Sequence, residues 1–252
     1  MTDSPNTGFG VDVGGSGIKG APVDLDKGSF TDDRLRIATP EESTPDAVCD
    51  VVAQIVDHFS VKKDLPLGIT IPAVVMHGVV QTAANIDKAW IGVDADELFS
   101  DRLGREVHLV NDADAAGVAE RHHGAAKGAK GTVVLTTLGT GIGTAVLVDG
   151  HLVPNTELGH IEIDGHDAET RAAESVRERE GLSTQEWVER LQTYYSRLEA
   201  LLWPDLFVVG GGVSKQADTF LPLLDLRTPI VAAKLKNKAG IIGAAHLAAK
   251  GS

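Results

Sequence analysis

A short stretch near the start of the chain combines glycines with charged and hydroxyl side chains at a spacing that suits phosphate chemistry. It reads Asp12-Val-Gly-Gly-Ser-Gly-Ile-Lys19, and apolar strand patterns precede and follow it. A tight glycine turn leaves backbone N–H groups available and lets an anion approach closely. We therefore predict a site for a terminal phosphate with its Mg²⁺, built from Gly14, Gly15, Ser16 and Lys19, with Asp12 at the metal. An ordinary hairpin turn is the alternative interpretation.

A second glycine-rich turn lies in the middle of the chain and repeats the plan of the first. An apolar strand pattern runs into Leu138-Gly-Thr-Gly-Ile-Gly143 and leaves it as a strand that turns at Asp149-Gly150. Neither turn has the spacing of a dinucleotide-binding loop or of a Walker A loop. We therefore expect an internal duplication, with two hairpins that grip a phosphate chain between two lobes, as in actin-like ATPases. The predicted phosphate-binding residues of the second hairpin are Thr137, Gly139, Thr140, Gly141 and Gly143.

A third glycine motif, Gly210-Gly211-Gly212, follows a buried strand pattern. Glycines lack a Cβ and therefore let a nucleotide or further phosphates approach the backbone. We predict that these glycines and the nearby Lys215 contact the phosphoryl donor. Ser214 is the expected N-cap of the helix that follows.

Polar residues at two other places could act on a hydroxylated substrate. Asp112 comes directly after an apolar strand pattern and Asn111. It could accept a proton from a sugar hydroxyl as a general base, although either residue could instead cap the next helix. Glu157 and His160 flank Gly159, where a carboxylate and an imidazole can pair with adjacent hydroxyls. From the residues alone, an ordinary polar loop is the stronger interpretation of this second pair.

Apolar periodicity places these motifs on alternating strands and helices. After the opening hairpin, strands are expected at 34–38, 67–71, 74–81, 107–110, 132–138, 145–148 and 206–209. A helix is expected to begin at Thr44 and Pro45, as N-cap and first helical residue. Further helices are expected at 95–103, 113–123, 170–179, 184–202 and 239–249. The order predicts an α/β protein with an N-terminal lobe of 1–112 plus 238–252 and a C-terminal lobe of 113–237.

The composition narrows the class of protein. The chain has 252 residues, 42% of them apolar, which is enough for one large domain or two lobes. Its apolar runs are of strand length and its first residues are polar, so the sequence predicts no membrane span and no secretion signal. The single cysteine, Cys49, excludes an intrachain disulfide and a cysteine-rich zinc site and favours a cytoplasmic location. A net charge of −13 argues against nucleic-acid binding by overall charge.

Five motifs, in this order, resemble the ROK family of sugar kinases over nearly the whole chain. They are Asp12-Val-Gly-Gly-Ser-Gly-Ile-Lys19, Asn111-Asp-Ala-Asp114, Leu138-Gly-Thr-Gly-Ile-Gly143, Glu157-Leu-Gly-His160 and Val209-Gly-Gly-Gly212. Within the family, the chain is most similar to the bacterial polyphosphate/ATP glucokinases, of the glucomannokinase-like kind. The resemblance implies a two-lobed actin/hexokinase-like (ribonuclease H-like) ATPase fold with an interlobe cleft. It also implies glucose as acceptor, polyphosphate or ATP as donor, Mg²⁺ as cofactor and a homodimer.

The resemblance gives the candidate residues their expected roles. Asp112 becomes the general base that activates the sugar 6-hydroxyl, and Asp12 becomes the Mg²⁺ ligand. The expected sugar contacts are Asn85, Asn111, Asp112, Glu157 and His160. Asn85 is equally interpretable as a turn residue, and the neighbouring Trp90 is a stronger candidate for the core than for stacking on a sugar.

The chain departs from many ROK proteins after His160, because no cysteine-rich zinc motif follows. The polyphosphate glucokinases lack that motif as well. The departure leaves open the second sugar-binding carboxylate of the family, for which Glu174 is the candidate. Two alternatives share the motifs: an ATP-only kinase for another hexose, such as mannose or N-acetylmannosamine, and a non-catalytic sugar-sensing regulator, against which Asp112 argues. The short segment before the first strand argues against one of the family's DNA-binding repressors.

An acidic protein repels a long polyanion, so polyphosphate requires a local basic strip. Lys234, Lys236 and Lys238 alternate along the chain and would share one side of an extended segment. With Lys215, they are the predicted path of the polymer. A solvated run of charges is the alternative.

Overall fold

The computed structural model describes residues 6–83 and 86–250, which form an α/β protein. The strands are β1 (Thr7–Gly14), β2 (Gly17–Asp24), β3 (Ser29–Phe30), β4 (Leu35–Ile37), β5 (Leu67–Ile71), β6 (Val75–Met76), β7 (Val79–Val80), β8 (His108–Asn111), β9 (Thr132–Leu138), β10 (Ile142–Val148), β11 (His151–Val153), β12 (Glu162–Ile163), β13 (His166–Asp167), β14 (Leu206–Gly211) and β15 (Ile230–Ala232). The α-helices are α1 (Pro45–His58), α2 (Ala95–Leu103), α3 (Asp112–His123), α4 (Glu169–Ala172), α5 (Glu174–Glu180), α6 (Thr184–Leu202), α7 (Ala217–Phe220) and α8 (Ala239–Lys250).

The chain divides into two compact units, one of Met1–Ala119 with Lys238–Ser252 and one of Glu120–Asn237. The division falls inside α3, whereas the sequence analysis placed it after Asp112, at the first residue of that helix. The C-terminal helix α8 belongs to the first unit.

The first unit is built on a six-stranded sheet in the order β3-β2-β1-β5-β8, with β4 also paired to β2. β1 and β2 form an antiparallel hairpin, and β5 and β8 continue the sheet in parallel with β1. Helix α1 starts as the sequence predicts, because the Thr44 hydroxyl accepts a hydrogen bond from Ala47 N at 3.4 Å and Pro45 is the first helical residue. Its buried stripe of valines and Ile55 joins the core under the sheet.

Helix α8 packs closely on β1 and β5. A methyl group at Gly68 would overlap the backbone of Ala244, and one at Gly10 would overlap the carbonyl of Ile241. These two strand glycines are therefore required by the close approach of the helix.

The second unit repeats the plan of the first, with a five-stranded sheet in the order β11-β10-β9-β14-β15. β9, β10 and β11 are antiparallel, and β14 is parallel to both β9 and β15. Helix α6 supplies large buried side chains to this core, including Trp187, Tyr194 and Tyr195. A hydrogen bond of 2.7 Å joins the hydroxyls of Tyr195 and Thr136, which ties the helix to β9.

Three predicted elements differ from the structure. The strand expected at 74–81 is a hairpin of the two-residue strands β6 and β7. The helix expected at 170–179 is two helices, because Ala173 adopts an extended conformation with ψ of 154°. Ser214 does not cap a helix: its Oγ donates to Gly211 O at 2.8 Å inside the 3₁₀ turn Gly212–Gln216.

None of the helices in the described ranges combines the length and the apolar character that crossing a bilayer requires.

Candidate active site

The first glycine turn connects β1 to β2. Gly14 pairs with Gly17, so Gly15 and Ser16 form the tip. A methyl group at Gly15 would meet nothing within 4 Å, so a ligand has room to approach the backbone there. Thr39 Oγ1 donates to Gly14 O at 2.5 Å, which anchors one side of the turn.

Arg36 is a basic side chain at this turn that the sequence analysis did not identify. Its Nη2 donates to Ser16 O at 2.6 Å, and its guanidinium covers Gly17. The residue reaches the turn because β4 pairs with β2, which places Arg36 opposite Lys19. The sequence showed only that Arg36 lies in a predicted strand. It did not show that this strand pairs with β2, which is what brings Arg36 to the turn.

Asp12 lies opposite Lys19 in the same hairpin. Its Oδ2 lies 3.4 Å from Lys19 Nζ, and its Oδ1 accepts a hydrogen bond from Thr70 Oγ1 at 3.0 Å. Both side chains of the ion pair are 22% exposed. Mg²⁺ in kinases is commonly held by one or two carboxylates together with waters and substrate phosphates. A fixed, partly accessible carboxylate beside the turn fits that donor set.

The junction of β8 and α3 holds Asn111 and Asp112. Asn111 is buried, and its Oδ1 accepts hydrogen bonds from Ala113 N at 2.9 Å and Asp114 N at 3.1 Å. Asn111 therefore caps α3, as the alternative interpretation expected, and its Nδ2 donates to Ala73 O at 3.0 Å. Asp112 is partly exposed at the first helical residue, and its Oδ1 accepts from Ala113 N at 2.8 Å.

Two nearby predictions have different outcomes. Asn85 lies outside the described residues. Trp90 is fully buried, stacks on Phe99 with a centroid distance of 6.1 Å and donates from Nε1 to Ser43 O at 2.8 Å, so it is a core residue.

In the second unit, the glycine turn between β9 and β10 is held by residues that follow it in the chain. Ile142 N donates to Glu169 Oε2 at 2.9 Å. Ser175 N donates to Gly139 O at 3.1 Å, and Ser175 Oγ donates to Thr140 O at 2.6 Å. Glu169 at the start of α4 and Ser175 in the first turn of α5 therefore fix the conformation of the predicted phosphate-binding turn.

Glu157 and His160 flank Gly159 in a 3₁₀ turn, Leu158–His160. Gly159 is buried, and Leu158 N donates to Thr144 Oγ1 at 3.0 Å, which anchors the turn on β10. His160 Nε2 lies 3.7 Å from Glu157 Oε2. Partial burial raises the pKa of Glu157, an effect that His160 opposes.

Two carboxylates that the sequence analysis did not select surround His160. Its Nδ1 lies 2.8 Å from Asp167 Oδ2 and 3.9 Å from Glu169 Oε1. The hydrogen bond with Asp167 raises the pKa of His160 above its usual range, although partial burial opposes it. Glu169 therefore connects the histidine to the glycine turn, because its other oxygen binds Ile142 N.

His160, Asp167 and Glu169 present ligand atoms within 4.8 Å of one another, a grouping that can also hold a cation. We interpret the group as hydrogen-bond and charge partners. The 2.8 Å contact between Nδ1 and Oδ2 has the length of a hydrogen bond.

Glu174 is the expected second sugar carboxylate, and its role in sugar binding stays a prediction. As the first residue of α5, its Oε2 is 3.2 Å from the position that a Cβ of Gly212 would take. Partial burial, together with the nearby Glu178, raises the pKa of Glu174, while Arg177 opposes the shift. The structure thus places Glu174 against the triple glycine and Glu169 beside His160.

The triple glycine ends β14 and continues into a 3₁₀ turn. Gly211 has φ of 83°, and a Cβ there would overlap the backbone of Leu138 at the second glycine turn. Two glycine motifs of this unit therefore pack against each other. Lys215 is exposed in the 3₁₀ turn.

The predicted lysine strip is wrong as a strand face. β15 ends at Ala232, and Lys236–Lys238 form a 3₁₀ turn in which Lys236 has φ of 52°. The side chains therefore do not alternate as in an extended segment. The Lys238 ammonium instead lies 5.5 Å from the centre of the Phe30 ring, in the first unit.

Comparison with known proteins identifies the family, because residues 8–177 match the ROK family. The chain belongs to the ROK family. The match contains every candidate residue from Asp12 to Glu174, whereas the triple glycine and Lys215 lie beyond it.

Relatives of this ROK protein include the polyphosphate glucokinase of Mycobacterium tuberculosis strain CDC 1551, which is 52% identical over 94% of this chain and 89% of that protein. A solved structure, the inorganic polyphosphate/ATP-glucomannokinase from Arthrobacter sp. strain KM, is 53% identical and superimposes with a TM-score of 0.92, covering 98% of this chain and 99% of that one. A ROK family glucokinase from Streptomyces griseus, solved with glucose and AMPPNP, is 25% identical with a TM-score of 0.82, covering 97% and 100%. The predicted ROK membership and actin/hexokinase-like fold are confirmed.

Proposed function

We propose that this ROK protein transfers a phosphoryl group from inorganic polyphosphate or ATP to the 6-hydroxyl of glucose, with mannose as a further acceptor. The observation that carries the proposal is the 52–53% identity to a polyphosphate glucokinase and to a polyphosphate/ATP-glucomannokinase over nearly the whole chain. The product is hexose 6-phosphate.

Asp112 is the proposed general base. Its carboxylate would accept the proton of the sugar hydroxyl as that oxygen attacks the phosphorus. Its bond to Ala113 N and the Asn111 cap fix the carboxylate at the start of α3. The main proposed role of Asn111 is therefore to position Asp112. A sugar contact through its second Nδ2 hydrogen stays a prediction, as does the contact from Asn85.

Glu157 and His160 are the proposed sugar contacts of the second unit, and Glu169 takes the place first expected for Glu174. A carboxylate accepts hydrogen bonds from sugar hydroxyls, and an imidazole can donate or accept. Support for Glu169 comes from its 3.9 Å distance to His160 Nδ1 and its bond to Ile142 N.

The glycine turns are the proposed contacts of the phosphoryl donor: Gly14, Gly15 and Ser16 in the first unit, and Gly139–Gly143 with Thr137 and Gly210–Gly212 in the second. Lys19, Arg36 and Lys215 add positive charge. Asp12 is the residue that would hold Mg²⁺, which supplies neutralisation of phosphate charge when it is bound. Glu174 is proposed as a donor contact because it lies against Gly212.

We further propose a cytoplasmic homodimer, because glucose and ATP meet in that compartment and closed dimers are the commonest oligomers. Light scattering on the purified protein tests the dimer.

The decisive experiment measures glucose 6-phosphate formation with polyphosphate and with ATP, in the presence of Mg²⁺. We expect product with both donors, and Asp112→Asn as the matched control should abolish most of it. Mannose and N-acetylmannosamine as acceptors define the sugar range. Product with ATP alone would refute the polyphosphate part of the proposal, and no product with either donor would refute the activity.

A further inference from the structure

Three carboxylates of the second unit flank the ring of His160, whose side chain is 44% exposed. Asp167 lies 2.8 Å from Nδ1, Glu169 lies 3.9 Å from Nδ1, and Glu157 lies 3.7 Å from Nε2. The two ring nitrogens therefore face different partners. Nδ1 points to Asp167, and Nε2 points to the side on which Glu157 lies.

Asp167 is itself held in place. It pairs with Glu162 in the short β12–β13 hairpin. Its Oδ1 accepts a hydrogen bond from Glu169 N at 3.2 Å, and its backbone carbonyl accepts one from Thr170 Oγ1 at 2.6 Å. The backbone of Asp167 is thus held by hydrogen bonds. Its Oδ2 contacts His160, while its Oδ1 is bonded to Glu169 N.

A carboxylate at hydrogen-bond distance stabilises the proton on the nitrogen it faces. The Asp167 carboxylate therefore keeps Nδ1 protonated in both the neutral and the charged ring. In the neutral ring, Nε2 is then the acceptor, and in the charged ring it is a second donor. In both states the plane of the ring is fixed by the Nδ1–H···Oδ2 bond.

We propose that Asp167 is a positioning residue for the sugar: it fixes the tautomer and the orientation of His160, so that Nε2 meets a sugar hydroxyl together with Glu157. The inference rests on the proposed glucose kinase function. Asp167 does not touch the sugar in this proposal and acts only through the histidine.

The test compares Asp167→Asn and Asp167→Ala with Asp164→Asn. Asp164 is exposed in the turn of the same hairpin, with φ of 54°, a conformation that asparagine tolerates, so its variant removes the same charge from the same segment. Kinetics are measured against glucose and against each donor. Imidazole resonances of His160 are followed by ¹⁵N NMR over a pH titration, and bound metal is measured by elemental analysis.

We expect Asp167→Ala to raise the glucose KM by about 10–150-fold, as for loss of one charge-assisted hydrogen bond, with donor KM values within about twofold. Asp167→Asn keeps an acceptor oxygen and should give a smaller rise. In both variants the pKa of His160 should fall, because a raising interaction is lost, and the limb of the pH profile that His160 controls should move to lower pH. Asp164→Asn should leave all of these values unchanged.

An unchanged glucose KM in a folded Asp167→Ala protein would overturn the proposal, as would a His160 ring protonated on Nε2 in the neutral wild-type protein. A stoichiometric metal ion that is lost with Asp167 would also overturn it. If Asp167→Ala does not fold, Asp167→Asn carries the same comparison. A wild-type protein without kinase activity would refute the proposed function. The NMR measurements need no catalysis, so they would still show whether Asp167 sets the tautomer and the pKa of His160.

Discussion

Gly159 is the residue at which a single methyl group should test the sugar site most sharply. It is buried between Glu157 and His160, and its turn packs on β10. A Cβ at this position would lie 3.0 Å from the carbonyl carbon of Ile142 and would overlap its oxygen. Ile142 is held by its pairing with Leu138 of β9 and by the hydrogen bond from its N–H to Glu169 Oε2. We therefore expect the turn and not the strand to yield when Gly159 is replaced by alanine.

The size of the effect follows from that overlap. Carbon–oxygen contacts settle near 3.5 Å, so relief of the overlap requires the turn to move by about 1.5 Å. A misplacement of about 1 Å in a positioning group can cost about 100-fold in rate. We therefore expect Gly159→Ala to lower kcat/KM for glucose by about 100-fold, which corresponds to about 2.7 kcal/mol. Overpacking should also lower the free energy of unfolding by about 1–3 kcal/mol.

Gly165→Ala is the matched control, because Gly165 lies in the same segment with φ of 76° and open space around a built Cβ. It should cost about 1 kcal/mol of stability through backbone strain and leave kcat/KM for glucose near the wild-type value. The assay is steady-state kinetics for both variants, with thermal melts to show that each is folded. A folded Gly159→Ala protein within threefold of wild-type kcat/KM would refute the role of this turn in sugar binding.

Three further predictions concern other parts of the site and the fold. Asp112→Asn should lower kcat by about 10²–10⁴-fold with sugar binding retained; a near-normal kcat in a folded variant removes Asp112 as the base. Glu174→Gln should raise kcat/KM for polyphosphate, because a carboxylate repels a polyanion, and should lower kcat/KM for ATP, because a carboxylate accepts hydrogen bonds from nucleoside hydroxyls. The control Glu178→Gln, one helical turn further on, should change neither value. Equal changes of kcat/KM for both donors in Glu174→Gln would refute this prediction. Glu120→Gln should lower the free energy of unfolding by about 1–3 kcal/mol, because the fully buried carboxylate accepts three backbone N–H groups; an unchanged melting temperature refutes it.

The sequence correctly predicted those helices and turns whose caps, apolar spacing and glycines lie within the element itself. The helix starting at Thr44 and Pro45, the helix over Ala95–Leu103 and the helix over Thr184–Leu202 all lie where predicted, because each has a cap and an apolar stripe at helical spacing. The two strand–glycine turn–strand units also lie where predicted. In these places, cap, periodicity and turn chemistry all indicate the same structure.

The choice between Glu169 and Glu174 could not be made from the sequence. A continuous helix over 170–179 was expected, which would begin directly after Glu169 and carry Glu174 in its first half. The extended conformation of Ala173 breaks it into α4 and α5, and the two carboxylates point to different motifs. The prediction for the lysine run failed because Lys236 adopts a positive φ of 52°, which is uncommon for a lysine and is not indicated by the residue type.

The charges around the two glycine turns differ, and this difference bears on how an acidic chain handles phosphate. The first turn has Lys19 and Arg36 beside it, whereas the second has the carboxylate of Glu169 beside it, and the carboxylate of Glu174 lies against the triple glycine that packs on the second turn. Side-chain cations attract phosphate, while carboxylates beside backbone N–H groups favour ligands that bring hydroxyls. We infer that the first unit contributes most to neutralising the reacting phosphate and that the second contributes most to selecting the hydroxyl-bearing parts of both substrates. Charge changes at Glu174 should therefore alter which donor is used, whereas charge changes at Lys19 should weaken both donors alike.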